Sequence, residues 1–146
     1  MLHDIGKIGI REAVLQKQGP LTPEEYDEMK RHPEIGTYIV NPMRFAGAVG
    51  PMILHHHERW DGKGYPAQLV GPTIPLGARI ISVVDSFDAM TTDRPYRKGM
   101  SEHDSLAILR SGRDQQWQGE LIDLFVQMVE GGDLPRIDLQ TATRGE

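Results

Sequence analysis

Three consecutive histidines, His55, His56 and His57, close an apolar run and stand directly before Glu58 and a loop with two glycines and a proline, "HHHERWDGKGYP". Burying imidazoles without partners is costly, and exposing three in a row brings no evident benefit. A fold that accepts this run has to bring partners to it from elsewhere in the chain. Successive helical residues point about 100° apart, so at most two of the three can comfortably face one site. The same chemistry recurs at His3-Asp4, at His32 and at Asp85. Long stretches separate these places, so only tertiary folding could assemble them. Taken singly they mean little: a lone His such as His32 or His103 is most often a surface or hydrogen-bonded core residue, and a His-Asp pair is most often capped or solvated.

The rest of the chain reads as helices. Thr22, Pro23 and Glu25 form a helix start with a capping box, and Lys30, Arg31 and His32 fall toward the far end, where the dipole favours them. "HPEIGTYIVNP" predicts a second helix ending near Asn41-Pro42. "RFAGAVGPMILHHHE" predicts a third, weakened by Gly47, Gly50 and Pro51. From Trp60 to Pro75 the Gly and Pro content predicts an ordered loop. Ile80, Val83, Val84, Phe87 and Met90 then recur at helical spacing. Ser101 caps a helix carrying Leu106 and Leu109, with Asp104 three residues on. "ELIDLFVQMVE" is a last amphipathic helix. No strand pattern or repeat is present, so the expected class is all-α, with a domain over residues 1–130 and a polar tail over 131–146.

Composition removes several functions. The 146 residues include no cysteine, which excludes disulfides, thiolate metal sites and a Cys nucleophile. The net charge of −5 argues against binding a nucleic-acid polymer through its phosphates. No apolar stretch reaches the roughly 18 residues of a membrane span, and the cytoplasm is the expected location. Imidazole with carboxylate is a ligand set for Fe, Mn, Zn or Ni rather than Ca. Arg94, Arg97 and Lys98 form a local positive patch just past Asp85, suited to phosphate, and Lys7 could reach a phosphate oxygen as a point charge.

The order "HDIGKIGI", "HPEIG", "HHERWDGKGYP" and "IISVVDSFDAMTTDRPYRK" resembles an HD-GYP domain, a branch of the HD phosphohydrolases. The likeness runs from Leu2 to about Lys98 and fades toward Val129. It implies a helical bundle around two or three divalent transition metals, Fe or Mn first, with Zn or Ni as alternatives. It implies hydrolysis of the bacterial second messenger cyclic di-GMP to pGpG or GMP. By position, His3, Asp4, His32, His56, His57 and Asp85 would be metal ligands and His55 would lie outside the set. Asp4 and Lys7 would serve catalysis. Lys7, Arg94, Arg97 and Lys98 would meet phosphates, and Gly64, Tyr65 and Pro66 would shape the substrate site and contact partners such as diguanylate cyclase (GGDEF) domains.

The chain departs from that family in two places. It starts almost on the His-Asp motif, so the expected bundle lacks its first helices, His3 would lie on a fraying helix start, and a bare core face would invite a homodimer or another partner. A fragment and a misplaced start are the other readings. Near the end, "DQQWQGE" stands where the family has Phe-Asp-Pro, which predicts a weaker start to the last helix, by about 1 kcal/mol for a lost cap. Two rival functions remain: a nucleotide-sensing or docking module without turnover, and an HD phosphohydrolase acting on another nucleotide.

Overall fold

The computed structural model describes residues 2–93 and 98–132. Leu2–Gly9 winds as a 3-10 helix and is followed by α1 (Glu12–Leu15), α2 (Pro23–Met29), α3 (His32–Val40) and α4 (Ala46–His55). A long loop, broken by one 3-10 turn at Gly71–Thr73, leads to α5 (Leu76–Thr91), α6 (Glu102–Ser111) and α7 (Gly119–Glu130). Among the described residues there is no strand, only an isolated bridge between Arg113 and Trp117. The protein is all-α.

The helix starts follow local chemistry. At α2 the Thr22 hydroxyl accepts the Glu25 N–H, and Glu25 Oε2 accepts the Thr22 N–H at 2.7 Å. Two N–H groups that the helix itself cannot pair are thereby satisfied. At α6 the Ser101 hydroxyl accepts the Asp104 N–H at 3.1 Å. The expected weak start of α7 is corrected in part. Gln118 gives no side-chain cap, but Asp114 Oδ1 accepts the Gly119 N–H at 2.9 Å, so an upstream carboxylate supplies the missing acceptor. Trp117 is buried beside it in the core.

That core joins α5, α6 and α7 through Val83, Leu106, Leu109, Trp117, Ile122, Phe125 and Val126, with Phe87 and Met90 packed against it. The apolar stripe foreseen on α5 is only partly covered: Ile80 and Val84 are 44% and 40% exposed and line an apolar groove with Leu121, Leu124, Phe125 and Met128. Ile10, Val14, Val40, Ile53, Ile74 and Ala78 are buried outside that cluster.

One close crossing positions everything that follows. The 3-10 helix lies against α3 with the two backbones nearly touching. A Cβ built on Gly6 would sit 1.9 Å from the His32 carbonyl oxygen and 2.4 Å from the Gly36 nitrogen. Only glycine permits that approach, and it brings His3 and Asp4 alongside His32. The fraying helix start expected at His3 is therefore corrected: the segment is a 3-10 helix packed on α3 and α4, and His3 is 6% exposed. No helix among the described residues is long and apolar enough to cross a membrane.

Candidate metal centre

The centre is built where helices end. Carbonyls in the last turn of a helix lack intrahelical partners. Met29 closes α2, and the residue four places on is Pro33, which has no N–H to offer. The His32 ring fills that gap, with Nδ1 donating to the Met29 carbonyl at 2.8 Å. At the end of α4, His56 Nδ1 donates to the Ile53 carbonyl at 2.7 Å. A carbonyl only accepts, so both rings carry their proton on Nδ1 and present Nε2 as a bare lone pair. The two Nε2 atoms are 3.3 Å apart, and His57 Nε2 is 3.2 Å from that of His32. Two lone pairs cannot hydrogen-bond to each other. Two nitrogens held about 2.0–2.1 Å from one ion at a tetrahedral angle lie about 3.3 Å apart, so the spacing fits a shared metal ion. Carbonyl-anchored imidazoles are also the usual outer-shell arrangement of such sites.

Carboxylates close the other side. Asp4 Oδ1 is 3.5 Å from His32 Nε2, and its Oδ2 is 3.6 Å from His3 Nε2 and 2.7 Å from Lys7 Nζ. Asp85, midway along α5, places Oδ1 3.3 Å from His3 Nε2. That contact is not aligned as a hydrogen bond, and His3 Nε2 is buried without a partner. Two overlapping groups can therefore each hold an ion, His32 with His56 and His57, and His3 with Asp4 and His56, the ligand atoms within each lying within 4.8 Å of one another. Asp4 faces both groups with different oxygens.

The electrostatics suit cation binding. Burial above all drives His56 from an ordinary 6.5 to about 4 and His57 to about 3, and neighbouring imidazoles push the same way. Burial also lowers His32, against the pull of the Met29 carbonyl and Asp4. For Asp4, burial pushes the carboxyl up, but the Lys7 hydrogen bond and the charges of Lys7, His3 and His32 together hold it below its usual value. The His3 imidazole, first of all, lowers Asp85, against the effect of burial. At neutral pH His32, His56 and His57 are thus neutral imidazoles and Asp4 and Asp85 ionised carboxylates, the protonation states that metals need.

A pH dependence follows for the metal-free protein. Below an ordinary value of about 6.5 the unfolded chain protonates these histidines while the folded one does not. The unfolded state then binds more protons, so their contribution to stability is complete above about 6.5 and is lost as pH falls toward about 4 for His56 and about 3 for His57. The lowered carboxylates act in the same direction at the acidic end. Protein freed of metal with a chelator should melt at a lower temperature at pH 5 than at pH 7.5, measured by circular dichroism. Equal melting temperatures would contradict the buried, neutral state of these rings.

The six residues expected as ligands come together. His55 falls outside the cluster, with Nδ1 3.5 Å from Glu58 Oε1, and His103 is on the surface, its side chain 89% exposed. Tyr65 stacks on His57 with ring centroids 4.9 Å apart. Gly62 has φ +75°, which glycine tolerates, whereas Gly64 is needed for closeness, since a Cβ there would lie 2.4 Å from the Arg59 nitrogen. Lys98 is exposed, and Arg94 and Arg97 lie outside the described residues. Sequence reasoning missed Glu58, buried at 3% exposure. A carboxylate between a histidine run and a Gly/Pro loop was the available signal, because the backbone N–H groups of such a loop need acceptors.

The model of the HD domain family matches residues 1–121. The chain is 43% identical over 128 residues to the cyclic di-GMP phosphodiesterase response regulator RpfG of Xanthomonas campestris, an alignment covering 86% of this chain and 34% of that protein. It is 41% identical over 131 residues to a cyclic di-GMP phosphodiesterase of Thermotoga maritima, covering 87% and 35%. With 3'3'-cGAMP-specific phosphodiesterase 1 of Vibrio cholerae it shares 40% identity over 110 residues, covering 75% and 26%. It thus spans about a quarter to a third of the length of these relatives. A solved V. cholerae cyclic GMP-AMP specific phosphodiesterase shares the fold, with a TM-score of 0.64 at 20% identity over 90% of this chain and 37% of that one. With the family model spanning most of its length and the His-Asp cluster assembled in its core, the chain belongs to the HD domain family.

Proposed function

We propose that this domain hydrolyses a cyclic dinucleotide, cyclic di-GMP first, using two or three divalent transition metals held by His3, Asp4, His32, His56, His57 and Asp85. The observation that carries this reading is the pair of bare Nε2 lone pairs of His32 and His56 facing each other 3.3 Å apart, with His57 Nε2 3.2 Å from His32 and two carboxylates beside them. Iron or manganese is the expected metal, with zinc or nickel as alternatives. The relatives named as cyclic di-GMP phosphodiesterases support the substrate.

Bound metals would supply an activated water and neutralise charge on the phosphodiester. The chain's own residues set the rest. His32 and His56 are held in one tautomer by backbone carbonyls, so their donor atoms are pre-aimed. Asp4 and Asp85 remain ionised at neutral pH. Lys7 holds Asp4 through one N–H, and with its side chain 42% exposed it can turn another toward an incoming phosphate. Lys98, with Arg94 and Arg97, is assigned to the outer phosphate contacts. Residues 64–66 form the rim, where a diguanylate cyclase domain or a second copy of the chain would dock.

Anaerobically purified protein, reconstituted with Mn(II) or Fe(II), should convert cyclic di-GMP to pGpG or GMP and lose that activity with chelator. Metal-loaded protein that turns over no cyclic dinucleotide would contradict the proposal. Relatives specific for 3'3'-cGAMP are the reason to include that nucleotide in the same assay.

A further inference from the structure

Glu58 directly follows the last histidine of the cluster, and its side chain is fully buried. Its carboxylate is spent on backbone groups. Oε1 accepts the Ala67 N–H at 2.7 Å, and Oε2 accepts the Leu69 N–H at 3.1 Å. One side chain thus ties down two residues of the loop that returns over the end of α4. Between these ties and the helix the loop is pressed close: the Tyr65 N–H donates to the His57 carbonyl at 3.3 Å, and a Cβ on Gly64 would lie 2.5 Å from Glu58 Cα. The Tyr65 ring then lies on the His57 ring, 21° from parallel.

This stacking matters because of how the neighbouring ligands are held. His32 and His56 are each oriented by a carbonyl on Nδ1. Among the described residues His57 has no such carbonyl. Its ring is bounded instead by ring contacts, with His56 at 4.0 Å and His32 at 5.0 Å between centroids and Tyr65 stacked on it at 4.9 Å. Of these, the Tyr65 contact is the one that comes from outside the ligand cluster. We propose that Glu58 is a positioning residue for the metal centre: by clamping Ala67 and Leu69 it seats Tyr65 on His57 and so sets the angle at which His57 presents Nε2. The affinity consequence rests on the metal reading above, whereas the clamp itself does not.

The variant Glu58→Gln tests it. Glutamine keeps the size but turns one acceptor into a donor, so one loop N–H faces an N–H and the clamp opens. In metal-free protein, ring-current shifts from Tyr65 should appear on the His57 ring protons by NMR and vanish in the variant. In the parent background Mn(II) affinity should fall by about 10–100-fold, as for loss of outer-shell support at other sites. In a His57→Ala background the same change should alter Mn(II) affinity less than about 2-fold, because the effect passes through His57. A purely structural role would lower the melting temperature without that background dependence. A folded variant with unaltered His57 shifts, or an equal affinity loss in both backgrounds, overturns the proposal. Should the glutamine variant not fold, Tyr65→Leu removes the stack and leaves the clamp in place; it must reproduce the Mn(II) loss and its dependence on His57, and parental affinity would overturn the proposal. A parent with the Glu58-dependent ring shift but no Mn(II) uptake would sink the metal reading and leave the clamp standing.

Discussion

Asp4→Asn should leave the fold standing and cut metal-dependent hydrolysis of cyclic di-GMP by at least about 100-fold, the upper end of what outer-shell changes cost at metal sites. Asp4 is the group through which the two halves of the cluster meet, one oxygen facing His32 and the other facing His3 and Lys7. An amide has nearly the same shape, but it carries no charge and has one oxygen instead of two. Its nitrogen cannot ligate, so one of the two ion positions loses a donor, and Lys7 loses its counter-charge. Stability should barely change, because the Asp4 and Lys7 side chains are 28% and 42% exposed and pairs of that kind contribute at most about 1 kcal/mol. Initial rates with Mn(II), read beside a melting curve, check both halves. Activity within a few-fold of the parent would remove Asp4 from the centre.

Gly6→Ala should be among the most damaging single-methyl additions in the described residues. The added carbon would fall 1.9 Å from the His32 carbonyl oxygen and 2.4 Å from the Gly36 nitrogen. Both are backbone atoms of one helix, so no side chain can move aside. Ordinary overpacking costs about 1–3 kcal/mol, and this contact lies beyond that range. A drop in melting temperature of roughly 10 °C or more is expected for a chain of this size. Mn(II) affinity should fall with it, because relief of the clash pushes His3 and Asp4 away from His32. Gly9→Ala is the control: its Cβ would meet only the Ile35 side chain, at 3.0 Å and beyond, and that chain can give way. Similar losses from the two variants would contradict the role of the Gly6 crossing.

Much of this was legible in the residues. Thr22, Pro23 and Glu25 marked the start of α2 because capping is local chemistry, and Ser101 marked α6 for the same reason. The limit on the histidine run also held, with His56 and His57 inside the cluster and His55 outside it. Non-local events were not legible. A 3-10 helix at His3 depends on how closely Gly6 can approach α3, which no spacing rule encodes. The acceptor for the α7 start comes from Asp114, across a turn rather than at the cap position. Pro33 is visible in the sequence, but only the fold shows that the carbonyl it leaves free is the one that orients His32. The role of Glu58 lies in its contacts to the Ala67 and Leu69 N–H groups, which only the folded loop creates.

Elemental analysis of protein purified without air and then exchanged into Mn(II) or Fe(II) bears on the metal centre itself. At least one tightly held transition-metal ion per chain is expected, with the stoichiometry falling in Asp4→Asn. A cooperatively folded protein that retains no ion under those conditions would contradict the reading of these six side chains as ligands.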